Sequence, residues 1–292
     1  MSNVIDSRLQ TFEGYRPLLF SIAYRMLGTV MEAEDAVQEA YLRFMATEVS
    51  TIQSPKAFLT TIVTRLCLDQ LKSARVKREE YLGPWLPEPL LTTDAPEDLL
   101  ARHESIAMAF LVLLETLSPV ERAVFLLREV FDYDYEQIAP IVEKSESNCR
   151  QLYRRARRYI QERRPRFAPP PQQQAIVETF MHAFATGDVR QMEGLLAQDV
   201  QLWSDGGGKV SAATRPLVGQ ATVLRFLAGL YAKRPADARI ALVESNGAPS
   251  LVIWIGDQLL GVVNLRCVDG AIAELRFVVN PEKLQHVRAH LA

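Results

Sequence analysis

The chain has 292 residues, which is long for one domain, so we expect two or three. Hydrophobic residues make up 48% and charged residues 23%, an ordinary globular composition that excludes global disorder. No apolar run approaches the length that a bilayer requires, and the N-terminus has no apolar signal segment, so we expect a cytoplasmic protein without membrane contact. The net charge of −2 hides one cationic segment, since residues 150–166 contain eight arginines and a single acid.

The first 81 residues carry apolar stripes at helical spacing, over residues 18–27, 36–44 and 58–71. Ser54 followed by Pro55 is typical of a helix start, with a capping side chain and a proline in the first turn. Residues 1–81 are therefore expected to form an all-α domain.

Residues 82–98 break this pattern, because their four prolines preclude a regular helix and favour extended backbone. We expect a linker here. The linker contains Trp85, whose large indole is costly to leave exposed, so we expect this side chain to dock on another surface.

Helices resume over residues 99–167, and Ser118-Pro119 marks the start of one of them. A short helix at 135–142 and a tight break at 143–145 precede a basic helix, which is the length pattern of a helix-turn-helix. An amphipathic helix with a solvated basic face explains the same pattern, so spacing alone leaves both interpretations open. The candidate DNA-contacting residues are Ser147, Asn148, Arg150, Gln151, Arg154, Arg155 and Arg158.

The composition changes again after a second linker at residues 168–173. Residues 174–292 read as two short helices, a strand, a longer helix near 220–233 and four further strands, with a hairpin signal at Asp269-Gly270. Helices followed by a curved antiparallel sheet predict an α+β domain.

Two separate stretches resemble bacterial sigma factors. The N-terminal stretch resembles region 2 of these factors, in LLFSIAYRMLGTVMEAEDAVQEAYLRF and SPKAFLTTIVTRLCLDQLKSAR. The later stretch resembles region 4, in LETLSPVERAVFLLREVFDYDYEQIAPIVEKSESNCRQLYRRARR. The two regions are joined directly, with no room for a third sigma domain, which is the layout of extracytoplasmic-function (ECF) sigma factors. The resemblance covers residues 8–164.

The resemblance implies three binding surfaces. An acidic helical face would bind the β′ subunit of core RNA polymerase, through Glu34, Asp35, Gln38, Glu39 and Leu42. A basic edge would hold the melted −10 element, through Lys56, Arg65, Lys72, Arg75 and Arg78. The basic helix of region 4 would read the −35 duplex with the residues named above. Without the family, the acidic face reads as an ordinary acidic first turn of a helix. Arg65 stands where many ECF factors have Asn.

Three short motifs resemble the ECF group with a fused C-terminal SnoaL-like domain, namely WLPEP, DGGGK and NPEKL. We expect them to meet and to regulate the sigma domains. Their candidate residues are Trp85, Leu86, Pro87, Glu88, Pro89, Asp205, Gly206, Gly207, Gly208, Lys209, Asn280, Pro281, Lys283 and Leu284. The fold class expected is therefore multidomain: two all-α sigma domains, a region 2 bundle and a region 4 helix-turn-helix, followed by an α+β SnoaL/NTF2-like cone domain.

Catalytic chemistry has little support in the last domain. The glycine-rich loop lacks the phosphate-loop pattern, and the polar pairs Glu274/Arg276 and Asn264/Arg266 read as outward strand faces. The three cysteines lie far apart without a CxxC pair, so we expect buried small residues and neither a metal nor a cofactor. A small apolar ligand in a pocket lined by Trp203 and Trp254 stays open.

The sequence therefore predicts an ECF sigma factor that binds core RNA polymerase through β′ and β, recognises promoter DNA, catalyses nothing itself and is regulated in cis, without a separate anti-sigma factor. A SnoaL-like sensor or enzyme with a DNA-binding adaptor is the main alternative. A one-component repressor is a third interpretation, but it leaves the acidic face unexplained.

Overall fold

The computed structural model describes residues 2–79, 81–92, 106–163, 165 and 170–291. These divide into two compact units. The first contains 2–79, 106 and 110–163, so the parts that resemble regions 2 and 4 cluster together. The second contains 81–92, 107–109, 165 and 170–291, so the linker clusters with the C-terminal domain.

Three long helices form the N-terminal part of the first unit. They are α1 (Ser2–Leu27), α2 (Val30–Ala46) and α3 (Pro55–Glu79), with a 3-10 turn at Val49–Thr51. The apolar stripes of the sequence are buried between them, since Leu19, Ile22 and Leu59 are fully inaccessible to solvent. The backbone N–H of Ala57 donates to Ser54 Oγ, so the expected start of α3 is confirmed.

The second part of this unit contains α4 (Met108–Leu114, which the division cuts after Ala109), α5 (Pro119–Glu129), α6 (Tyr135–Val142) and α7 (Glu146–Arg163). Ser118 and Glu121 form a reciprocal capping box at the start of α5, as the Ser-Pro pair predicts.

Glu143 ends α6 in the left-handed conformation, with φ 55° and ψ 46°, where a glycine is the usual residue. The tight turn between α6 and α7 therefore has an acidic residue at the position where the backbone is left-handed. Pro140 lies inside α6, close enough to its end that the helix continues to Val142.

The second unit begins with α8 (Pro170–Thr186) and α9 (Val189–Leu195), and α8 starts inside the expected 168–173 linker because prolines fit the first helical turn. Its strands are β1 (Leu196–Asp205), β2 (Leu217–Val218), β3 (Ala238–Ser245), β4 (Ala248–Ile255), β5 (Gln258–Val268) and β6 (Ala271–Val278). The remaining helices are α10 (Gln220–Lys233), a 3-10 turn at Pro281–Leu284 and α11 (Gln285–Leu291).

The sheet has the order β2-β1-β6-β5-β4-β3. It is mixed and not purely antiparallel as expected, because β1 pairs with β6 in parallel through residues far apart in the chain. One face packs on α8 and α10, in a core that includes Phe180, Leu202, Leu227, Leu265 and Leu275. The element order is that expected of a SnoaL-like domain.

Candidate polymerase, promoter and linker-docking surfaces

An acidic face runs along α2. Glu34, Asp35 and Gln38 are exposed, while Glu39 is half-buried beside Arg43, with which it forms an ion pair of 2.8 Å. Leu42 is 52% exposed at the end of the same face. An exposed leucine within an acidic helical face suits a basic helical partner, which is what the sequence predicted for these five residues.

The basic residues of α3 whose side chains the structure describes have different surroundings. Lys56 and Lys72 are exposed, whereas Arg65 turns towards the end of α6. Its guanidinium donates to the carbonyl oxygens of Pro140 at 2.7 Å and Ile141 at 3.2 Å. The side chains of Arg75 and Arg78 lie outside the described part of the structure.

All seven candidate DNA-contacting residues of α7 are exposed. The guanidinium of one of them, Arg155, pairs with Glu121 at the start of α5. The opposite face of α7 buries Cys149, Ala156 and Ile160, as the amphipathic pattern predicted. Arg150 pairs with Glu146 one turn earlier, at 2.6 Å. The helix therefore presents a cationic, solvent-facing surface of the kind that contacts DNA.

Polar bridges join the region 2 part of this unit to the region 4 part. The hydroxyls of Thr60 and Tyr133 lie 2.8 Å apart, and Arg122 donates to the carbonyl oxygen of Met26 at 2.6 Å. Arg122 is 2% exposed and pairs with Glu115, and burial lowers the pKa of its guanidinium to about 9. Together with Arg65, these contacts hold the two regions in one packed arrangement.

The linker docks on the C-terminal domain at Asp205, which is fully buried at the end of β1. Its carboxylate accepts hydrogen bonds from the Leu86 backbone N–H at 2.8 Å and from the Tyr81 hydroxyl, and it pairs with Lys283 at 2.7 Å. Lys283 also donates to the Leu86 carbonyl oxygen at 2.5 Å, and its ammonium lies 4.1 Å from the centre of the Trp85 ring. We call this arrangement the Asp205 clasp.

The other two motifs are adjacent within this clasp. The backbone N–H groups of Val279 and Asn280 both donate to the Asp205 carbonyl oxygen, each at 2.9 Å. Gly207 has a φ of 61°, and a Cβ there would lie 2.3 Å from Asn280 Nδ2, so only glycine permits this approach. Lys209 pairs with Glu282 at the surface. The three motifs thus meet, as the sequence predicted.

The linker touches the domain at a second place. Leu91 forms an isolated antiparallel bridge with Ser245, the last residue of edge strand β3. The Thr92 N–H donates to the Glu244 carbonyl oxygen at 3.1 Å, and the Asn246 N–H donates to the Leu90 carbonyl oxygen at 2.8 Å. We call this place the Asn246 turn.

Family models for sigma-70 region 2 and sigma-70 region 4 match residues 11–76 and 107–160. The ECF RNA polymerase sigma factor SigJ of Mycobacterium tuberculosis is 41% identical over 287 residues, covering 93% of this chain and 91% of the relative. The chain is an ECF sigma factor. The probable sigma factor SigI of the same species is 32% identical over 284 residues, covering 96% of each chain. The crystal structure of SigJ superposes with a TM-score of 0.77 at 33% identity, over 95% of this chain and 98% of SigJ.

Membership of this family means that the protein binds core RNA polymerase and promoter DNA, and that it directs an enzyme without being one. Within the described residues, no helix is long and apolar enough to cross a membrane. The same part of the chain holds no group of three His, Cys, Asp or Glu side chains placed to share a metal ion. All three cysteines are free and buried, as expected.

Sequence reasoning about this sigma factor missed Tyr81, Thr92 and Asn246. Nothing in the sequence marks Tyr81, which reaches Asp205 across 124 positions. Burial and the hydrogen bond to Asp205 raise the pKa of its hydroxyl. Asn246-Gly247, by contrast, is a strong hairpin-turn pair, a local signal from which the turn could have been predicted, although not the linker bound to it.

The outer face of the sheet, which points away from α8 and α10, is not the exposed polar surface that the strand pattern predicted. Asn264 and Arg276 are each 5% exposed, and Glu274 lies between Arg266 and Arg276, pairing with both. Burial alone raises the pKa of Glu274, but the hydrogen bond from Arg266 and the charge of Arg276 outweigh it, so its pKa is lowered. The burial of these charged side chains is tolerated because the carboxylate and the two guanidinium groups pair with one another.

The two tryptophans considered for a ligand pocket both belong to this outer face. Arg276 lies 4.9 Å from the centre of the Trp203 ring, and Arg239 lies 5.5 Å from that of Trp254. Strands β6 and β5 separate them, which places them at least about 14 Å apart at the usual strand spacing. The structure therefore does not bring them into one pocket.

Proposed function

We propose that the C-terminal domain regulates this sigma factor in cis by gripping the linker between regions 2 and 4, in place of a separate anti-sigma factor. The observation that carries the proposal is the Asp205 clasp, in which a buried carboxylate of the domain binds the backbone and side chains of the linker. A linker held at fixed points restricts how far the two regions separate.

The spacing of promoter elements makes such a restriction consequential. The −10 and −35 elements are about 25 base pairs apart, or roughly 85 Å at 3.4 Å per base pair. Thr60–Tyr133 and Arg122–Met26 hold regions 2 and 4 in direct contact. We infer that binding to core polymerase and promoter DNA requires these contacts to open, and that the grip on the linker opposes this opening.

Within that scheme the surfaces have distinct partners. The acidic face of α2 binds the β′ subunit, region 4 binds the β subunit and the −35 duplex, and α3 holds melted −10 DNA. These steps take place in the cytoplasm, where core polymerase works. A small apolar ligand of the C-terminal domain remains a prediction, and its site is not between Trp203 and Trp254.

The grip depends on charge as well as shape. Asp205 and Lys283 are 0% and 7% exposed, and removing one partner of a buried pair leaves the other uncompensated, at a cost of about 3–5 kcal/mol. The indole of Trp85 adds an aromatic face to the same ammonium. The linker's Leu86 backbone and Trp85 ring therefore contact a buried ion pair of the domain and not an exposed one.

The proposal is tested by Asp205→Asn, which keeps the size of the side chain and removes its charge. We expect higher transcription in vitro from a fixed promoter with core polymerase, because the linker is released. Asp199→Asn is the matched control, since Asp199 lies exposed on the same strand. Unchanged transcription by a folded Asp205→Asn protein would contradict regulation through the clasp.

A further inference from the structure

The contact between the linker and the Asn246 turn has the form of strand addition. Strand β3 is at the edge of the sheet, and Leu91 pairs with its last residue, Ser245. Residue 90 is bound through both of its backbone groups, because Asn246 donates its N–H to the Leu90 carbonyl oxygen at 2.8 Å and accepts the Leu90 N–H on Oδ1 at 3.2 Å. Edge strands present unpaired backbone groups, and an extended segment satisfies them.

Thr92 fixes the register of this addition. Its hydroxyl donates to Glu244 Oε1 at 2.7 Å and accepts the Gly247 N–H at 3.0 Å, so both of its hydrogen-bonding roles are used. Thr92 and Asn246 are each 1% exposed and Leu90 is 3% exposed. A segment bound by backbone and side chain in a buried position is specifically recognised and not merely adjacent.

The hydrogen bonds described above for the Asn246 turn and for the Asp205 clasp are made by different residues. Pro87 and Pro89 lie between the two, and since proline has no N–H and favours extended backbone, this stretch is stiff and offers few donors. At about 3.1 Å per residue, the four steps from Leu86 to Leu90 span roughly 12 Å. Residues 86–90 are all buried, so the stretch between the two places is packed as well as stiff.

We propose that the Asn246 turn is a second, independent anchor of the regulatory linker, an inference that rests on the proposed cis regulation. The two anchors hold different ends. Tyr81 of the clasp follows α3 of region 2 by two residues, whereas Thr92 of the turn leads towards region 4. Release at the Asn246 turn frees the side of the linker that continues to region 4 and leaves the region 2 side held.

Hydrogen exchange of the full chain tests the independence of the anchors. Asn246→Gly removes the side-chain acceptor and keeps a residue suited to the φ of 55° at this position. We expect the Leu90 and Thr92 amides to lose at least tenfold of their protection, while the Leu86 amide, which donates to Asp205, exchanges as before. Thr92→Val, which keeps the shape and removes the hydroxyl, should act in the same direction.

The matched control is Asp269→Gly, because Asp269 has a φ of 50° in the hairpin turn between β5 and β6. It should leave all three amides unchanged. Equal loss of protection at Leu86 in the Asn246→Gly protein would show one cooperative clasp and overturn the inference. Unchanged protection of the Leu90 and Thr92 amides in both the Asn246→Gly and the Thr92→Val proteins would also overturn it.

Transcription by the same proteins separates this inference from the proposed function. We expect Asn246→Gly and Asp205→Asn each to raise transcription at least twofold. A rise with Asp205→Asn alone would overturn the regulatory role of the second anchor and leave cis regulation standing. If neither variant changed transcription although exchange at Leu90 and Thr92 was faster, the anchor would stand and the proposed function would fail.

Discussion

Glu143 shows how one residue can carry a local energetic cost in the DNA-binding motif. A left-handed conformation costs a residue with a Cβ about 1–2 kcal/mol, and glycine avoids this cost. Glycine also has greater conformational freedom in the unfolded chain, which cancels part of the stability gained. We therefore predict that Glu143→Gly is more stable than Glu143→Gln by about 0.5–1 kcal/mol in denaturant unfolding. Both variants remove the 3.4 Å pair with Arg65, so the comparison isolates the backbone.

Glu274 tests whether the buried outer face of the sheet depends on its charge balance. Glu274→Gln leaves Arg266 and Arg276 without their shared carboxylate, so we predict a loss of about 3–5 kcal/mol in the free energy of unfolding at pH 7. Glu178→Gln, at an exposed position on α8, should stay within about 0.5 kcal/mol of the parent protein.

The pH dependence of the same variant follows from the lowered pKa of Glu274. Its stabilising contribution is present above the ordinary value of 4.5 and is lost as the pH falls through the lower pKa of the folded protein. The difference in stability between the parent and Glu274→Gln should therefore shrink below pH 4.5. A difference that stays constant from pH 7 to pH 3 would contradict the role given to this carboxylate.

At the scale of elements, α2 is expected to carry polymerase binding. Asp35→Ala combined with Glu39→Ala should weaken the affinity for core polymerase while leaving the fold intact. Asp35 is exposed, and the i,i+4 ion pair of Glu39 with Arg43 lies at the surface, where such pairs contribute little stability. Glu193→Ala with Asp199→Ala removes the same charge from exposed positions of the C-terminal domain and should bind normally. Equal affinity of both double variants in a pull-down titration would rule out the assigned face.

Helix α7 is expected to divide its work along its length. Arg154→Ala should relax the preference for the −35 sequence by about 1–3 kcal/mol, the value of a good base contact. Arg163→Ala, nearer the C-terminal end, should lower the affinity for all sequences and flatten its salt dependence. Binding measured on matched and scrambled duplexes at several salt concentrations distinguishes the two effects. If both variants weakened all duplexes alike, base reading by Arg154 would be wrong.

The starts and ends of many helices and strands were predictable, because local sequence patterns mark them. The cap at Ser118, the tight break before α7 and the hairpin at Asp269 are read from neighbouring residues, and all three are present. The parallel pairing of β1 with β6 was not predictable, because no local pattern encodes which distant strand lies beside another.

The candidate surfaces likewise include features that local sequence predicts and features that depend on distant parts of the chain. The exposed faces of α2 and α7 follow from helical periodicity, whereas the turn of Arg65 towards Pro140 depends on how two regions pack. The meeting of the three motifs was expected only from their resemblance to a known group. Tyr81 and Thr92 contact residues more than a hundred positions away, and neither differs locally from an ordinary linker residue.

For the whole molecule, regulation depends on a linker that couples two DNA-binding regions to a third domain. Trp85→Ala should change promoter activity, since burying an aromatic surface contributes more than an exposed ion pair. It should leave the affinity of the full-length protein for −35 DNA unchanged, because Trp85 lies outside region 4. A parallel loss of −35 binding would point to misfolding and not to released regulation.

The most direct measurement is transcription in vitro from one promoter with three chains: full length, ending within α11 at His286, and ending at Pro171. Val287 of α11 is fully buried one turn beyond Lys283, so the first truncation loosens the clasp. We predict higher activity from the chain ending at His286 than from the full-length protein. Removing the whole domain has a second effect besides release, because the linker then also loses the surface that positions it, so we predict lower activity from the chain ending at Pro171. Equal activity from all three chains would contradict regulation in cis by the C-terminal domain.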